Sequence, residues 1–365
     1  MKKNIRAFAF YLPQFHPFPE NDAWWGKGFT EWTNVTGAQP QFSTHYQPHL
    51  PTDLGFYDLR LPLVLAQQAS MAQEFGLSGF CFYHYWFNGK RLMHRSLDNW
   101  LAHKEIDFPF FYCWANENWS RRWDGKDGEI LIQQNYGTDD HLRHIHYLLE
   151  NVFSDPRYLR MDDKPVFAVY RTELIPDVAA VAALWRAEAQ KAGFKDLYLI
   201  RIESFDRTTS PQNIGFDAAI DFQPNWKNYP APQKADLWTR IQRKLGFNVA
   251  HPFLKHRVYD YQTYITHIEQ SSSATYTRFP SVMPMWDNTA RRKQGATIFI
   301  NNSPEIYGAW LAKSIEQFTP PSANENLVFI NAWNEWAEGN HLEPCQKWGR
   351  AYLEETQKVL AAYAQ

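Results

Sequence analysis

The sequence is poor in cysteine, in net charge and in long apolar runs, and each shortage excludes a class of protein. Of its three cysteines, Cys81 and Cys113 lie inside apolar runs, so a disulfide framework is not expected. Lys and Arg number 37 against 39 Asp and Glu and are dispersed, which disfavours a partner of one charge sign, such as nucleic acid, and favours a neutral substrate. No run approaches the roughly 20 apolar residues of a membrane span.

The amino-terminal residues also lack the pattern of an export signal. Met1-Lys2-Lys3 precedes an apolar run over 7–12 that Pro13 ends. A secretory signal needs a longer apolar region, of roughly 7–15 residues, followed by a cleavage site with small residues. We therefore expect a cytoplasmic protein.

Short apolar runs alternate with helical patterns along the chain, which is typical of parallel strands joined by crossover helices. The runs are Arg6–Tyr11, Leu77–Tyr83, Phe108–Trp114, Pro165–Tyr170, Leu197–Ile202, Phe216–Phe222, Ser281–Trp286 and Leu327–Trp333. Eight such strands predict a (β/α)8 TIM barrel, with residues 1–365 as a single domain. A doubly wound dinucleotide-binding sheet is disfavoured, because the segment 12–17 after the first strand has no glycine.

The helical patterns and the connections locate the functional face. Helices are predicted at about 58–75, 92–103, 139–151, 176–192, 234–246, 259–270, 304–317 and 346–363. The segment after the fifth strand is too short for a full helix. Long connections over 12–57 and 115–138 follow the first and third strands, at the carboxyl ends where barrel enzymes form their sites.

Two glutamates follow the eighth predicted strand. Glu335 and Glu338 lie three apart in the segment 333–339, and a helical turn there would direct both into one pocket. Cleavage of a glycosidic bond needs two such carboxyl groups. The alternative is an acidic first turn of an ordinary helix, which the spacing alone leaves equally open.

Aromatic residues make up 17% of the chain, and many lie among polar residues, as in proteins that hold sugar rings as well as in large cores. We expect substrate contacts from side chains at the predicted strand ends. These are Tyr11, His16, His84, Tyr85, Trp86, Trp114, Asn116, Glu117, Trp119, Glu203, Asp287, Trp333, Asn334 and Trp336. His84 and Trp86 are favoured, since a histidine can bond a sugar hydroxyl while an adjacent ring stacks on the sugar.

Several passages resemble a known family. Asn334-Glu335-Trp336-Ala337-Glu338-Gly339, followed by Glu343-Pro344, is similar to the catalytic motif of glycoside hydrolase family 99, the endo-α-mannosidases. The whole chain more closely resembles the related WbsX-type family of bacterial O-antigen and polysaccharide gene clusters. The passages that carry this resemblance are 10–17, 28–35, 82–87, 114–119 and 333–344.

The resemblance implies a retaining reaction through a 1,2-anhydro sugar, with Glu335 as the base at O2 and Glu338 as the general acid. It implies an oligosaccharide or polysaccharide substrate, no cofactor and no metal. A rival assignment remains open, in which Glu117 is the acid/base and Glu335 the nucleophile. A second function also stays open, that of a nucleotide-sugar glycosyltransferase of lipopolysaccharide biosynthesis. The sequence does not give an oligomeric state.

Two further clusters invite other interpretations. His141, His144 and His146 could suggest a metal, but their spacing favours a solvated helix face. The basic clusters Arg121-Arg122 and Arg291-Arg292-Lys293 could hold an anionic group, although a solubilising surface is the default expectation.

Overall fold

Eight parallel strands form a barrel in the computed structural model, which describes residues 4–120, 129–245, 251–270 and 274–363. The strands are β1 (Arg6–Tyr11), β2 (Gly79–Phe87), β3 (Phe110–Trp114), β4 (Lys164–Val169), β5 (Tyr198–Ile202), β6 (Ala218–Ile220), β7 (Arg278–Phe279 and Ser281–Val282) and β8 (Leu327–Ile330). The predicted TIM barrel is confirmed, and most predicted strands differ from the observed ones by only a few residues at their ends.

Strand β7 closes the barrel. Its first half pairs in parallel with β6, Ala219 opposite Arg278, and its second half pairs in parallel with β8, Ser281 opposite Phe329. Pro280 lies between the halves and supplies no backbone N–H, although its carbonyl accepts from the N–H of Phe329 at 2.9 Å. The predicted strand Ser281–Trp286 was therefore placed too late in the chain, since the pairing segment begins at Arg278.

Eleven α-helices occur in the described residues. They are α1 (Pro19–Trp25), α2 (Glu31–Gly37), α3 (Pro62–Glu74), α4 (His94–Ala102), α5 (Thr138–Asn151), α6 (Val178–Lys191), α7 (Leu237–Lys244), α8 (Pro252–Lys255), α9 (Tyr261–Glu269), α10 (Pro304–Gln317) and α11 (Ala351–Tyr363). Between β5 and β6 only a short 3-10 helix is present, Pro211–Ile214, as the length of that segment predicts. None of these helices is long and apolar enough to cross a membrane.

Aromatic side chains fill the barrel interior in layers. Phe8 contacts Phe111 and Phe329, with ring centroids 5.7 and 6.4 Å away, and one layer higher Phe10 contacts Tyr83 and Phe222 at 5.7 and 5.2 Å. Inward residues alternate along each strand because the side-chain period of a strand is two. Much of the high aromatic content therefore forms a packed core, which leaves any cavity to the carboxyl face of the barrel.

The two long connections lie at that carboxyl face. The first contains α1 and α2, so the predicted loop over 12–57 is partly helical. The second contains a two-stranded ribbon, Trp119–Ser120 with Ile130–Ile132. The cluster Arg121-Arg122 falls outside the described residues.

A buried ion pair lies at the opposite face of the barrel, where the amino ends of the strands meet. The guanidinium of Arg157 donates to both carboxylate oxygens of Asp155 at 3.0 and 2.9 Å, and to the backbone carbonyls of Trp100, His103 and Ile106. The side chains of Arg157 and Asp155 are only 5% and 1% exposed. Burial alone would raise the pKa of Asp155, but hydrogen bonds from Arg157 and Lys104 outweigh it and lower the pKa to about 2.

We expect Arg157→Ala to lower the free energy of unfolding by about 3–5 kcal/mol, because it leaves the Asp155 carboxylate buried without its main partner. The pair's contribution is present above the ordinary pKa of an aspartate and is lost as the pH falls towards 2. Urea denaturation measures the loss. The control is Lys358→Ala, which breaks an ion pair with Glu355 whose lysine side chain is 73% exposed and should change stability by less than about 0.5 kcal/mol. Equal effects of the two substitutions would contradict this account.

Candidate active site

A short hairpin follows β8 and carries the two glutamates. Asn334 and Glu335 pair antiparallel with His341 and Asn340, and a 3-10 turn, Trp336–Glu338, connects the two halves. Residues three apart in a 3-10 turn lie on the same side, so Glu335 and Glu338 share one face, as the sequence predicts. Gly339 ends the turn at φ +55°, where a Cβ atom would lie 2.9 Å from the carbonyl oxygen of Asp287, so only glycine fits.

Arg291 binds both glutamates and a third carboxylate. Its Nη1 lies 2.8 Å from Glu338 Oε1, and its Nη2 lies 3.1 Å from Glu335 Oε2 and 3.0 Å from Glu31 Oε2. The Arg291 side chain is 11% exposed and that of Glu31 is 0%. The expectation of a solubilising basic surface is therefore wrong at Arg291.

Local structure directs these groups to one point. Thr30 caps α2 by accepting from the N–H of Trp32, which places Glu31 at the first position of the helix, and Trp32 packs on Trp336 with centroids 5.6 Å apart. Arg291 follows a 3-10 turn, Asn288–Ala290, that the Asp287 carboxylate caps at Thr289. The backbone N–H of Asp287 also donates to the carbonyl of Glu338 at 2.7 Å.

Charge and burial set the protonation of this cluster. Burial raises the pKa of Glu335 most, Arg291 opposes the rise, and Glu338 and Glu31 add to it, so that the pKa is about 8. Burial also raises the pKa of Glu31. For Arg291, burial alone would lower the pKa, but the three carboxylates outweigh it and raise the pKa, so the guanidinium stays charged. One cation facing three carboxylates therefore favours retention of a proton within the cluster.

A cavity of about 710 Å³ opens beside the two glutamates at the carboxyl face of the barrel. Both glutamates and Arg291 line it, and rings from several strand ends form much of its wall: Tyr83, Tyr85, Trp119, Tyr170, Phe205, Phe222, Trp226 and Trp286. Rings with polar tips suit the faces and hydroxyl edges of sugars. The arrangement therefore combines an acid pair with an aromatic wall.

Five of the residues proposed from the sequence line this cavity: Tyr85, Glu117, Trp119, Glu335 and Glu338. Glu117 forms an ion pair with Arg171, which also binds Glu173 at 2.6 Å and lies over the ring of Phe205 at 3.9 Å. Substrate contact by these residues remains a prediction.

The expectation for His84, Trp86 and Trp114 needs correction, because these side chains face away from the cavity. His84 Nε2 lies 3.1 Å from His144 Nε2 of α5, and the Trp86 indole N–H donates to Asp140 at 3.1 Å. The Trp114 indole donates to the Trp86 carbonyl. Because side chains alternate along a strand, the neighbouring residues Tyr83 and Tyr85 point into the barrel and line the cavity instead.

Asn116 also has a structural position: its side chain bonds the backbone N–H and C=O of Arg171, each at 2.8 Å. It therefore fixes the residue that pairs with Glu117, without lining the cavity itself.

Four more expected contacts lie behind the hairpin. The Asn334 side chain accepts from the N–H of Leu12 at 2.7 Å and donates to its C=O at 3.0 Å, which ties β1 to the hairpin. The Tyr11 hydroxyl donates to Gln68, and the Trp336 indole donates to the buried carboxylate of Glu343 at 2.6 Å. Trp333 is fully buried against Phe80. These side chains support the acids and do not reach the cavity.

The last three expected contacts are also elsewhere. Asp287 is buried and accepts from Gln47 at 2.8 Å, with His45 Nε2 at 2.5 Å. Glu203 is buried and accepts a hydrogen bond from the Tyr276 hydroxyl, and it does not line the cavity. His16 lines a separate cavity with Lys90 and Arg91. The sequence showed that these residues follow strands but not which way they point.

Glu31 was not proposed from the sequence, and Arg291 was named only in a basic cluster that could hold an anionic group. Glu31 lies in the segment 28–35 that carries the family resemblance, and that was the one available signal for it. Arg291 stands among other basic residues in a connection, where a surface position is the ordinary expectation. Only the fold shows that it is buried among carboxylates.

The histidine cluster on α5 differs from expectation in another way. His141 and His144 are buried between α5 and the barrel, so a solvated face is wrong for these two, whereas the ring of His146 lies 2.7 Å from Glu188 at the surface. Among the described residues, no group of three or more His, Cys, Asp or Glu side chains is arranged to hold a metal ion.

Comparison with solved structures gives the fold. The endo-alpha-mannosidase of glycoside hydrolase family 99 from Bacteroides thetaiotaomicron superposes with a TM-score of 0.57 at 14% identity, covering 98% of this chain and 97% of that one. A protein described as glycoside hydrolase-like superposes with a TM-score of 0.59 at 13% identity, covering 98% and 94%.

Comparison of sequences gives the family. Two curated relatives, both called WxcX and uncharacterised, come from strains B100 and ATCC 33913 of Xanthomonas campestris pv. campestris, and are 46% identical over 354 residues. This match covers 96% of the chain but 49% of each relative, so the chain spans about half their length. The family described as Glycosyltransferase WbsX matches residues 7–356. The chain therefore belongs to the WbsX family of carbohydrate-active enzymes, on a barrel like that of glycoside hydrolase family 99.

Proposed function

We propose that the chain is a retaining endo-type glycoside hydrolase or transglycosylase that acts on an α-mannoside-like glycan, with Glu335 and Glu338 as its catalytic residues. The observation that carries the proposal is that both carboxyl groups bind one guanidinium, that of Arg291, in the wall of an aromatic cavity. The fold shared with an endo-alpha-mannosidase supports the choice of substrate class.

The proposed first step breaks the glycosidic bond without a covalent enzyme intermediate. Glu335 takes the proton from the substrate's 2-hydroxyl, and O2 attacks C1 of the same sugar to form a 1,2-anhydro ring. Glu338 gives its proton to the departing glycosidic oxygen. This closure requires O2 and the leaving oxygen on opposite faces of the sugar, an arrangement that an α-mannoside provides.

The second step reverses the roles. Glu338, now ionised, takes a proton from water or from a sugar hydroxyl as its oxygen attacks C1. The C1–O2 bond breaks, and O2 recovers the proton held by Glu335. Two inversions at C1 give net retention, and both carboxyl groups return to their starting protonation states.

Arg291 acts in this scheme through its contacts with the two glutamates. It positions both carboxyl groups and balances the negative charge that moves from Glu335 to Glu338 during the cycle. The pKa of Glu335 is about 8, which makes its ionised carboxylate a stronger base than an ordinary glutamate. A stronger base removes the proton of the 2-hydroxyl more completely. Arg291 is thus a positioning residue with an electrostatic effect.

The rival scheme with Glu117 as acid/base is ranked second. Glu117 lines the same cavity, but its carboxylate pairs with Arg171, whereas Glu338 shares Arg291 with Glu335. The two schemes differ in which glutamate is indispensable.

We expect Glu335→Gln and Glu338→Gln each to lower kcat/KM by about 10²–10⁴-fold on a cleaved α-mannoside, because each removes one proton transfer. Glu117→Gln is the matched comparison, from the same cavity with the same chemical change, and its loss should stay below about tenfold. Steady-state assays on defined oligosaccharides, with circular dichroism to verify folding, make the measurement. A larger loss for Glu117→Gln than for Glu338→Gln would favour the rival scheme.

The pH profile provides a separate test. Since Glu335 must be ionised to act as the base, kcat/KM should rise with pH along a limb near pH 8. The limb belongs to the carboxyl groups around Arg291 as a set, because they share one cation. Arg291→Met should move it to higher pH, as the cation that lowers the pKa of Glu335 is lost.

The control for that test is Lys293→Met, which removes an exposed cation two residues away and should leave the limb in place. A limb that stays at the same pH in both variants would show that Arg291 does not set the protonation of the base.

A nucleotide-sugar glycosyltransferase is the second candidate, and two observations favour it. The matched family carries the name glycosyltransferase, and Arg171, Arg257 and Arg292 line the cavity with the acids, where they could bind a diphosphate. Calorimetric titration with nucleotide sugars separates the candidates. Binding near micromolar affinity, together with no cleavage of α-linked oligosaccharides, would favour the transferase.

The biological setting is also a proposal. A role in bacterial polysaccharide or O-antigen assembly fits the family, and a cytoplasmic location stays a prediction. About half of each curated relative lies outside the region that matches this chain. The activity of such a longer protein would also depend on that additional half.

A further inference from the structure

Helix α7 presents an apolar surface to solvent. Leu237, Trp238 and Leu245, at the residue just past its end, are 69%, 66% and 70% exposed, and Ile241 is 37% exposed. With 3.6 residues per turn these four residues lie within an arc of roughly 100° on one side of the helix. Thr239 lies on the opposite side of the helix and is buried, so α7 packs on the protein with that side and exposes the apolar side to solvent. A contiguous exposed surface of this kind, which includes a tryptophan, marks an interaction site.

The surrounding chain is strongly basic, although the protein as a whole is close to neutral. Between residues 234 and 257 the cations are Lys234, Arg240, Arg243, Lys244, Lys255 and Arg257, and the one acid is Asp236. Asp236 is engaged as the cap of α7, where it accepts from the N–H and the hydroxyl of Thr239 at 3.0 and 2.6 Å. The dispersed charge expected from the whole sequence therefore does not hold for this segment.

The segment that contains α7 begins and ends at the cavity wall. It leaves the cavity wall at Trp226, which follows β6, and returns to it at Arg257. Both residues line the cavity that contains Glu335 and Glu338.

The charge of the segment distinguishes the possible occupants. In a symmetric dimer the same segment would face its own copy, and its net positive charge would oppose association. An anionic phospholipid surface satisfies both features, since tryptophan and leucine enter the interfacial region while lysine and arginine attract the headgroups. A short amphipathic helix of this composition lies in the membrane plane and does not span it.

We propose that α7 is a peripheral membrane anchor, which holds the chain at an anionic phospholipid surface. A glycan attached to a lipid would then be presented to the cavity from that surface, a consequence that rests on the function proposed above. Membrane binding itself does not depend on the chemistry at Glu335.

The test is flotation of the full 365-residue chain with vesicles of phosphatidylcholine alone, or with about a third phosphatidylglycerol. We expect binding to the anionic vesicles only, weakened by sodium chloride at about 0.5 M, which screens the cations. Leu237→Ser with Leu245→Ser should weaken the binding at least about tenfold. Glu335→Gln should bind as the unaltered chain does, so failure of the catalytic proposal would leave this result unchanged.

The matched control is Leu61→Ser with Leu63→Ser, which removes two leucines of similar exposure, 56% and 69%, at the start of α3. It should bind vesicles normally. The proposal is overturned if the chain binds neither vesicle, if it binds both equally, or if the two double variants behave alike. It is also overturned if sedimentation shows a dimer that Leu237→Ser with Leu245→Ser dissociates, because a second copy would then cover the helix.

Discussion

The guanidinium of Arg291 is the constraint on which the site depends. Three carboxylates reach it from separate parts of the chain: Glu31 after β1, and Glu335 and Glu338 after β8. Without a buried cation these groups would repel one another in a poorly hydrated wall, and the turn that brings Glu335 and Glu338 to one face would be opposed. With it, the three acids are held around one cation, which opposes the rise that burial causes in the pKa of Glu335 and Glu31.

The rest of the carboxyl face supports that cluster. Asp287 caps the turn that delivers Arg291 and binds the carbonyl of Glu338, while Gly339 leaves room for the close approach of the two segments. Behind the hairpin, Asn334 ties it to Leu12 at the end of β1. The barrel interior below is filled by aromatic rings, so the cavity lies at the carboxyl face.

The sequence predicted the barrel and the turn that carries Glu335 and Glu338, because both leave local signals. Eight apolar runs with helical segments between them have few alternatives, and two acids three apart beside a strand end are recognisable by spacing. The sequence-based prediction was wrong where the direction of a side chain decides whether it reaches the cavity. His84 and Trp86 were preferred over Tyr83 and Tyr85, yet a shift of one residue along a strand exchanges the inside of the barrel for the outside. Arg291 was visible only as part of a basic cluster, because its role exists only when the fold brings three carboxylates around it.

The central claim is that Glu335 and Glu338 cleave an α-linked glycan with retention through two displacements at one carbon. The most direct measurement is proton NMR of the first product formed from an α-mannoside oligosaccharide, recorded before the free sugar mutarotates. The account predicts the α anomer as the initial product. An initial β anomer would require a single displacement by water and would contradict it.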